Sequence, residues 1–256
     1  LYSSAASDVY KRQDFAFVHQ YGDDVAQLLD CAKGGLVVDL GCGNGALTGR
    51  IKDMGYEVIG LDSSDELLAV ARGSRPDIEF IKADAADFSL EKPADAVFSN
   101  AVLHWIDRHR QPDVLKCVHK ALKDGGQFVL EFGGRGNNAL IHTYLEKTFT
   151  EYGYRYEMPF YFPTIGEYAS LAEAAGFTVR YAVLFDRPTP LKGKDGLAEW
   201  IKMFVKTPFS VVQDKDAAEE IINKTVDRLR PYLYKDGVFY ADYVRLRTVS
   251  YTHLRA

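Results

Sequence analysis

The sequence is poor in the residues that staple or anchor a chain. It has three cysteines among 256 residues, Cys31, Cys42 and Cys117, with no C-x-x-C pair and no metal-ligand spacing. That excludes a disulfide framework and points to a reducing compartment. No apolar run reaches the roughly 20 residues that a membrane span needs. No signal-peptide pattern opens the chain either, so a cytoplasmic protein without membrane association is expected. There is also no basic stripe: 31 Lys and Arg stand against 36 Asp and Glu, a net charge of −5. This balance suits a small solute better than a nucleic acid. Low-complexity segments and internal repeats are absent.

The two ends stand apart from the rest. Asp8 to Gln13 (DVYKRQ) can be encoded by DNA whose reverse complement, read in another frame, gives Val249 to Leu254 (VSYTHL). Residues 1–13 and 249–256 are therefore expected to be non-native, adapter-like tails. Residues 14–248, carrying a net charge of about −7, are expected to form one domain.

Within that domain, helix and strand signals alternate. Apolar spacing predicts helices over Phe17–Cys31, Ala46–Met54, Ser63–Gly73 and Pro112–Leu122. Between them lie short strands at Leu36–Leu40, Glu57–Leu61, Ile78–Lys82, Ala94–Ser99 and Gln127–Phe132. Such alternation with short connections specifies a doubly wound parallel α/β sheet. Beyond Gly133 the rhythm loosens. Helices are predicted at Ala139–Tyr152, Ile165–Ala175, Asp195–Val205 and Asp216–Tyr232, and strands at Thr178–Phe185 and Val238–Thr248. The long helical excursion over about 190–235 exceeds a simple connection and is expected to be a small helical lid.

The most informative stretch is Val37–Thr48, VVDLGCGNGALT. A buried-looking strand runs through Asp39 into a glycine-dense turn and then a helix. Gly41 and Gly43 are expected to leave no side chain between backbone and ligand. The turn also satisfies the dinucleotide pattern G-x-G-x-x-A, so a dinucleotide and S-adenosylmethionine both remain open. Charge separates them. Asp39 would repel a pyrophosphate and attract an ammonium or sulfonium group. Asp62, ending the second strand, is placed to accept from ribose hydroxyls. Asp84, after the third strand, is placed to accept from an adenine amino group. Asn100 ends the fourth strand at the same crevice. Acidic edges without a phosphate-neutralising Lys or Arg match a cationic nucleoside.

These motifs, VVDLGCGNGALT, VIGLDSS, IKADAADF and DAVFSNAVLHW, resemble the successive motifs of class I S-adenosylmethionine-dependent methyltransferases. The resemblance runs towards the subgroup with trans-aconitate methyltransferase and the malonyl-carrier-protein methyl ester synthase. It implies a seven-stranded Rossmann-like sheet of order 3-2-1-4-5-7-6 with the last strand antiparallel. It also implies S-adenosylmethionine as cofactor. Asp39, Gly41 and Gly43 would surround its methionine part, and Asp62 with Ser63 its ribose. Asp84 and Ala85 would meet the adenine, Asn100 and Leu103 would flank the methionyl group, and Gln20 and Tyr21 would hold its carboxylate.

Methyl transfer asks the protein mainly for alignment and exclusion of water. A carboxylate acceptor needs no general base, whereas a hydroxyl or ammonium does. His104 is the candidate base, or an orienting or packing imidazole, and Trp105 the candidate wall of the acceptor site. Arg135 and Arg187 are candidates to meet an acidic substrate. The expected activity is methyl transfer to a small molecule, at a carboxylic acid oxygen. A nicotinamide-dependent oxidoreductase and a non-catalytic S-adenosylmethionine-binding sensor or partner protein are the alternatives. Monomer and homodimer remain equally open.

Overall fold

The computed structural model describes residues 17–252, with side chains from residue 22 onward. In chain order the elements are α1 (Phe17–Ala26), β1 (Leu36–Leu40), α2 (Ala46–Asp53), β2 (Glu57–Asp62), α3 (Asp65–Ser74), β3 (Glu79–Lys82) and β4 (Ala94–Asn100). Two 3₁₀ turns, Leu103–Trp105 and Arg108–Arg110, lead into α4 (Gln111–Ala121) and β5 (Leu122–Gly133). Then come α5 (Ala139–Glu151), α6 (Ile165–Ala174), β6 (Thr178–Leu191), α7 (Gly196–Phe204), α8 (Lys206–Phe209), α9 (Lys215–Leu233), β7 (Tyr234–Lys235) and β8 (Val238–Tyr251).

One sheet holds all the strands in the order β3-β2-β1-β4-β5-β8-β6, with two-residue β7 paired to β8. Setting β7 aside, this is the expected order. β1 to β5 are parallel, and β8 runs antiparallel between β5 and β6. β1 is central, covered on both faces and correspondingly apolar. One face packs Val114, Leu115 and Val118 of α4 and Tyr168 of α6 against Val97, Phe128 and Leu130. The opposite face packs Val25 of α1 and Ile51 of α2 against Val37, Phe98 and Val129.

Several boundaries differ from the sequence reading. The helix after β2 is capped one residue later than Ser63: the Ser64 hydroxyl accepts from Leu67 N at 3.2 Å and donates to Glu66 at 2.8 Å. β6 continues past Phe185 to Leu191, through Pro188 and Pro190. Among the described residues its one strand neighbour is β8, so prolines at alternate positions cost no ladder bond on the open edge. β8 extends through Val249, Ser250 and Tyr251, which pair with Val129, Phe128 and Gln127.

The long β6 creates the second half of the molecule. β5 stops at Gly133, opposite Arg245, yet β6 and β8 continue together to Leu191 and Phe239. This overhanging ribbon contributes Leu191, Phe239, Ala241 and Tyr243 to a separate apolar cluster, with Leu145 and Phe149 of α5, Trp200 of α7 and Leu229 of α9. Trp200 Nε1 also donates to the Tyr243 hydroxyl at 2.7 Å. Among the described residues, no helix is long and apolar enough to cross a membrane.

Candidate functional site

A cavity of about 650 Å³ opens at the carboxyl ends of β1, β2 and β4. That is where a doubly wound sheet places its ligands, because the strand order reverses there. Its floor is the glycine turn. Gly41, Gly43 and Gly45 all have positive φ, at 78°, 56° and 77°, which folds the turn tightly enough to expose its backbone. Gly43 has open space where a side chain would stand, whereas a Cβ on Gly41 would come within 2.2 Å of Val102. Both glycines border the cavity, Gly43 with bare backbone and Gly41 with Val102 occupying the place a side chain would take.

Asp39 borders the cavity yet is only 2% exposed. Thr48 Oγ1 donates to its Oδ2 at 2.6 Å. Burial raises its carboxyl to about 7, the nearby Asp62 charge adds to this, and the Thr48 bond opposes it. Asp62 Oδ2 accepts from Gly43 N and Oδ1 from Ser64 N, each at 2.9 Å. Asp62 therefore ties the β1 and β2 loops together while still facing the cavity with Ser63. Cys42 also borders the cavity, and burial pushes its thiol up, so it is no thiolate nucleophile.

Asp84 and Ala85 line the far end. Asp84 accepts from Ala86 N at 2.9 Å and pairs with Arg110 at 2.9 Å, and these two contacts lower its pKa in that order. The expectation of a site without a cation is thus corrected. Arg110 stands on the rim, but its charge is answered by Asp84.

At the β4 end, Asn100 lines the cavity with Ala101 and Val102. Ala101 takes φ 60°, unusual for alanine, and this bend turns the chain across the cavity mouth. Leu103 does not reach it: the side chain is in the core and its carbonyl accepts from Gln111 at 2.8 Å. His104 is also absent from the lining. Its Nδ1 accepts from Gly133 N at 3.2 Å, and its ring stacks on Phe132. Burial, then Arg245, holds its pKa well down. Trp105 does line the cavity, half-exposed at 50%. The Gln20 and Tyr21 side chains lie outside the described residues. Arg187 is committed to buried Glu131 through both guanidinium nitrogens, away from any acidic substrate. Sequence reasoning missed Val102, Arg110 and Phe204. The first two lay within a quoted motif or near it, but Phe204 arrives from α7 and carries no local signal.

The nucleoside fits this donor set. Three carboxylates border one cavity, one of them buried with its proton affinity raised as a site for a cation would require, beside backbone left bare at Gly43.

Comparison with known proteins agrees. A family described as "Methyltransferase domain" matches residues 37–126. An uncharacterized methyltransferase of Schizosaccharomyces pombe is 30% identical, covering 95% of this chain and 98% of its own. A trans-aconitate 2-methyltransferase of Deinococcus radiodurans is 29% identical over 80% of this chain and 82% of its own. Among solved structures, the YcgJ protein of Bacillus subtilis shares the fold with a TM-score of 0.62 at 14% identity, over 93% of this chain and all of that one.

Proposed function

The chain belongs to the class I S-adenosylmethionine-dependent methyltransferases, and from that premise we propose that its acceptor is a small molecule methylated on a carboxylic acid oxygen. The cofactor, when bound, supplies a methyl group already activated on a sulfonium. The observation that supports the acceptor is the chemistry of the lining. Among the described residues bordering the cavity, the ionisable groups are Asp39, Cys42, Asp62, Asp84, Asp107 and Arg110. None of these described residues is a histidine, lysine or tyrosine. An ionised carboxylate has no proton to give up, so such a site suffices for it. His104, neutral and hydrogen-bonded inside a cluster of rings, packs the wall. It is not the base.

In this reading Asp39 offers negative charge to the methionine end, and Asp62 braces both loops while accepting from the ribose. Asp84 lies at the adenine end with Ala85. Asn100 borders the methionyl part, and Trp105 and Phe204 keep water from the reacting atoms. The relatives named as trans-aconitate methyltransferases support a carboxylate acceptor by analogy. The helices α7, α8 and α9, carried on the ribbon, serve as the lid.

Calorimetry with S-adenosylmethionine, S-adenosylhomocysteine and NAD tests the cofactor, and only the first two are expected to bind. A panel of acids, phenols and amines with labelled methyl donor tests the acceptor. Label in base-labile esters is the expected result, and label confined to amines overturns the assignment.

A further inference from the structure

Strand β6 ends the sheet, and its two halves treat that open edge differently. Among the described residues it pairs with β8 alone. Pro188 and Pro190 stand opposite Asp242 and Tyr240 in that ladder. Proline has no N–H, so these two positions face the open side. The ladder is continuous from Tyr181 opposite Val249 to Leu191 opposite Phe239, so alternation turns the N–H and C=O of Ala182, Leu184 and Asp186 to the open side as well. The prolines close one half of the edge to a further strand. Residues 181–185 (YAVLF), in the other half, contain neither proline nor charge. Such a stretch on an open edge is a template for another strand.

The side chains of this stretch are only partly covered. Tyr181 is 45% exposed, and Ala182, Val183, Leu184 and Phe185 are half-buried. Arg180 and Asp186 flank it, both exposed, and among the described residues neither enters an ion pair. Arg180 is the residue left over at the irregularity between Val179 and Tyr181, which releases it from the β8 ladder. The stretch is complementary to itself. Laid antiparallel about a two-fold axis at Val183, a second copy brings Val183 opposite Val183, Ala182 opposite Leu184, Tyr181 opposite Phe185 and Arg180 opposite Asp186. Ala182 and Leu184 then exchange main-chain hydrogen bonds in both directions. The aromatic pair and the ion pair recur on each side of the axis. Moving to the next register that the alternation permits puts Arg180 opposite Pro188 or Leu184, and the match is lost.

We propose that the protein self-associates through this half of β6, a second copy adding its own β6 antiparallel about Val183 so that one sheet runs through a two-fold dimer. The occupant is a second copy of this chain because the edge supplies its own opposite charges in register. The prolines confine the junction to residues 180–186 and keep it clear of the ribbon that carries α7 and α9. The junction is also remote from the cofactor cavity. β8, β5 and β4 separate β6 from β1, and residues 180–186 do not border the cavity. Each protomer therefore keeps its cofactor site when the copies part.

Sedimentation equilibrium on the full chain, from about 1 µM to about 200 µM, tests this, and a monomer–dimer equilibrium within that range is expected. Asp186→Lys sets a cation opposite Arg180 on both sides of the axis and should weaken association roughly tenfold. Adding Arg180→Glu restores opposite charges and should bring the dissociation constant back within about threefold of the wild type. Ala182→Pro removes an edge N–H that β8 does not use. It should abolish the dimer while S-adenosylmethionine affinity by calorimetry stays within about twofold. The register has its own readout. Across the axis, facing Cα atoms of a non-hydrogen-bonded pair stand about 4.5 Å apart, so Val183→Cys should form a disulfide-linked dimer under oxidised glutathione, above the wild-type background. Ala182→Cys, facing Leu184, should not. A wild type that stays monomeric over the whole range overturns the proposal. So does a double variant no better than Asp186→Lys, equal crosslinking at the two cysteine positions, or a dimer that survives Ala182→Pro.

Discussion

The two halves of the molecule build their surfaces in opposite ways. Around the cofactor cavity, polar side chains are locked to the backbone of neighbouring loops: Asp62 accepts from Gly43 N and Ser64 N, and Asp84 from Ala86 N. Under α5 and α7, the work falls to rings packed on one another, as Phe160 is on Trp105, His142 and Phe162. The first arrangement fixes charge in position and tolerates little change. The second fixes shape, and a ring can be exchanged without moving a strand. A constant cofactor calls for the former and an acceptor that varies among relatives for the latter.

The largest expected effect breaks the rigid half. Asp62→Ala should weaken S-adenosylmethionine binding by about 3 kcal/mol, since it removes a charged acceptor and releases both loops. Calorimetry measures it, and unchanged affinity would take Asp62 out of the site. Trp105→Ala attacks the other half. It should cost roughly tenfold in kcat/KM with cofactor affinity within about twofold, and the reverse pattern would move Trp105 to the cofactor side.

A smaller effect comes from pH. The Asp39 carboxyl is raised by burial to about 7. Its neutral form therefore favours the folded state, a contribution fully present below about pH 4 and lost as pH rises through about 7. A cationic guest pairs with the ionised form. Cofactor affinity should therefore rise roughly tenfold between about pH 5.5 and about pH 7.5, and the thermal upshift on binding should grow with it. Flat affinity across that window would deny Asp39 its charge role. The smallest change is expected for Arg110→Ala, below about 1 kcal/mol in either binding or stability, because its pair with Asp84 is half-exposed. A larger loss by calorimetry would show that Arg110 touches the guest directly.

The same contrast explains what could be read beforehand. Asp39, Gly43, Asp62 and Asp84 were legible because each sits at a fixed offset from a strand that its own neighbours specify. Leu103 and His104 were misplaced because a 3₁₀ turn after Ala101 points them into the core, and nothing local announces a left-handed alanine. Arg110 lay ten residues beyond Asn100, and its return to Asp84 depends on where α4 starts. Phe204 was invisible as a neighbour of Trp105, since only the folded ribbon brings α7 to the cavity mouth. The proline pair in β6 concealed that ribbon, because an edge position is a property of the sheet and cannot be read along the strand.

The ribbon has a mechanical consequence. From Thr178 opposite Tyr251 to Leu191 opposite Phe239, the pairing is broken only by one irregularity near Val179, so the helices above are cantilevered on a stiff beam and cannot swing about a joint within it. Amide protons bonded across the β6–β8 pair should exchange slowly, and in the single protomer those on the open edge of β6 quickly.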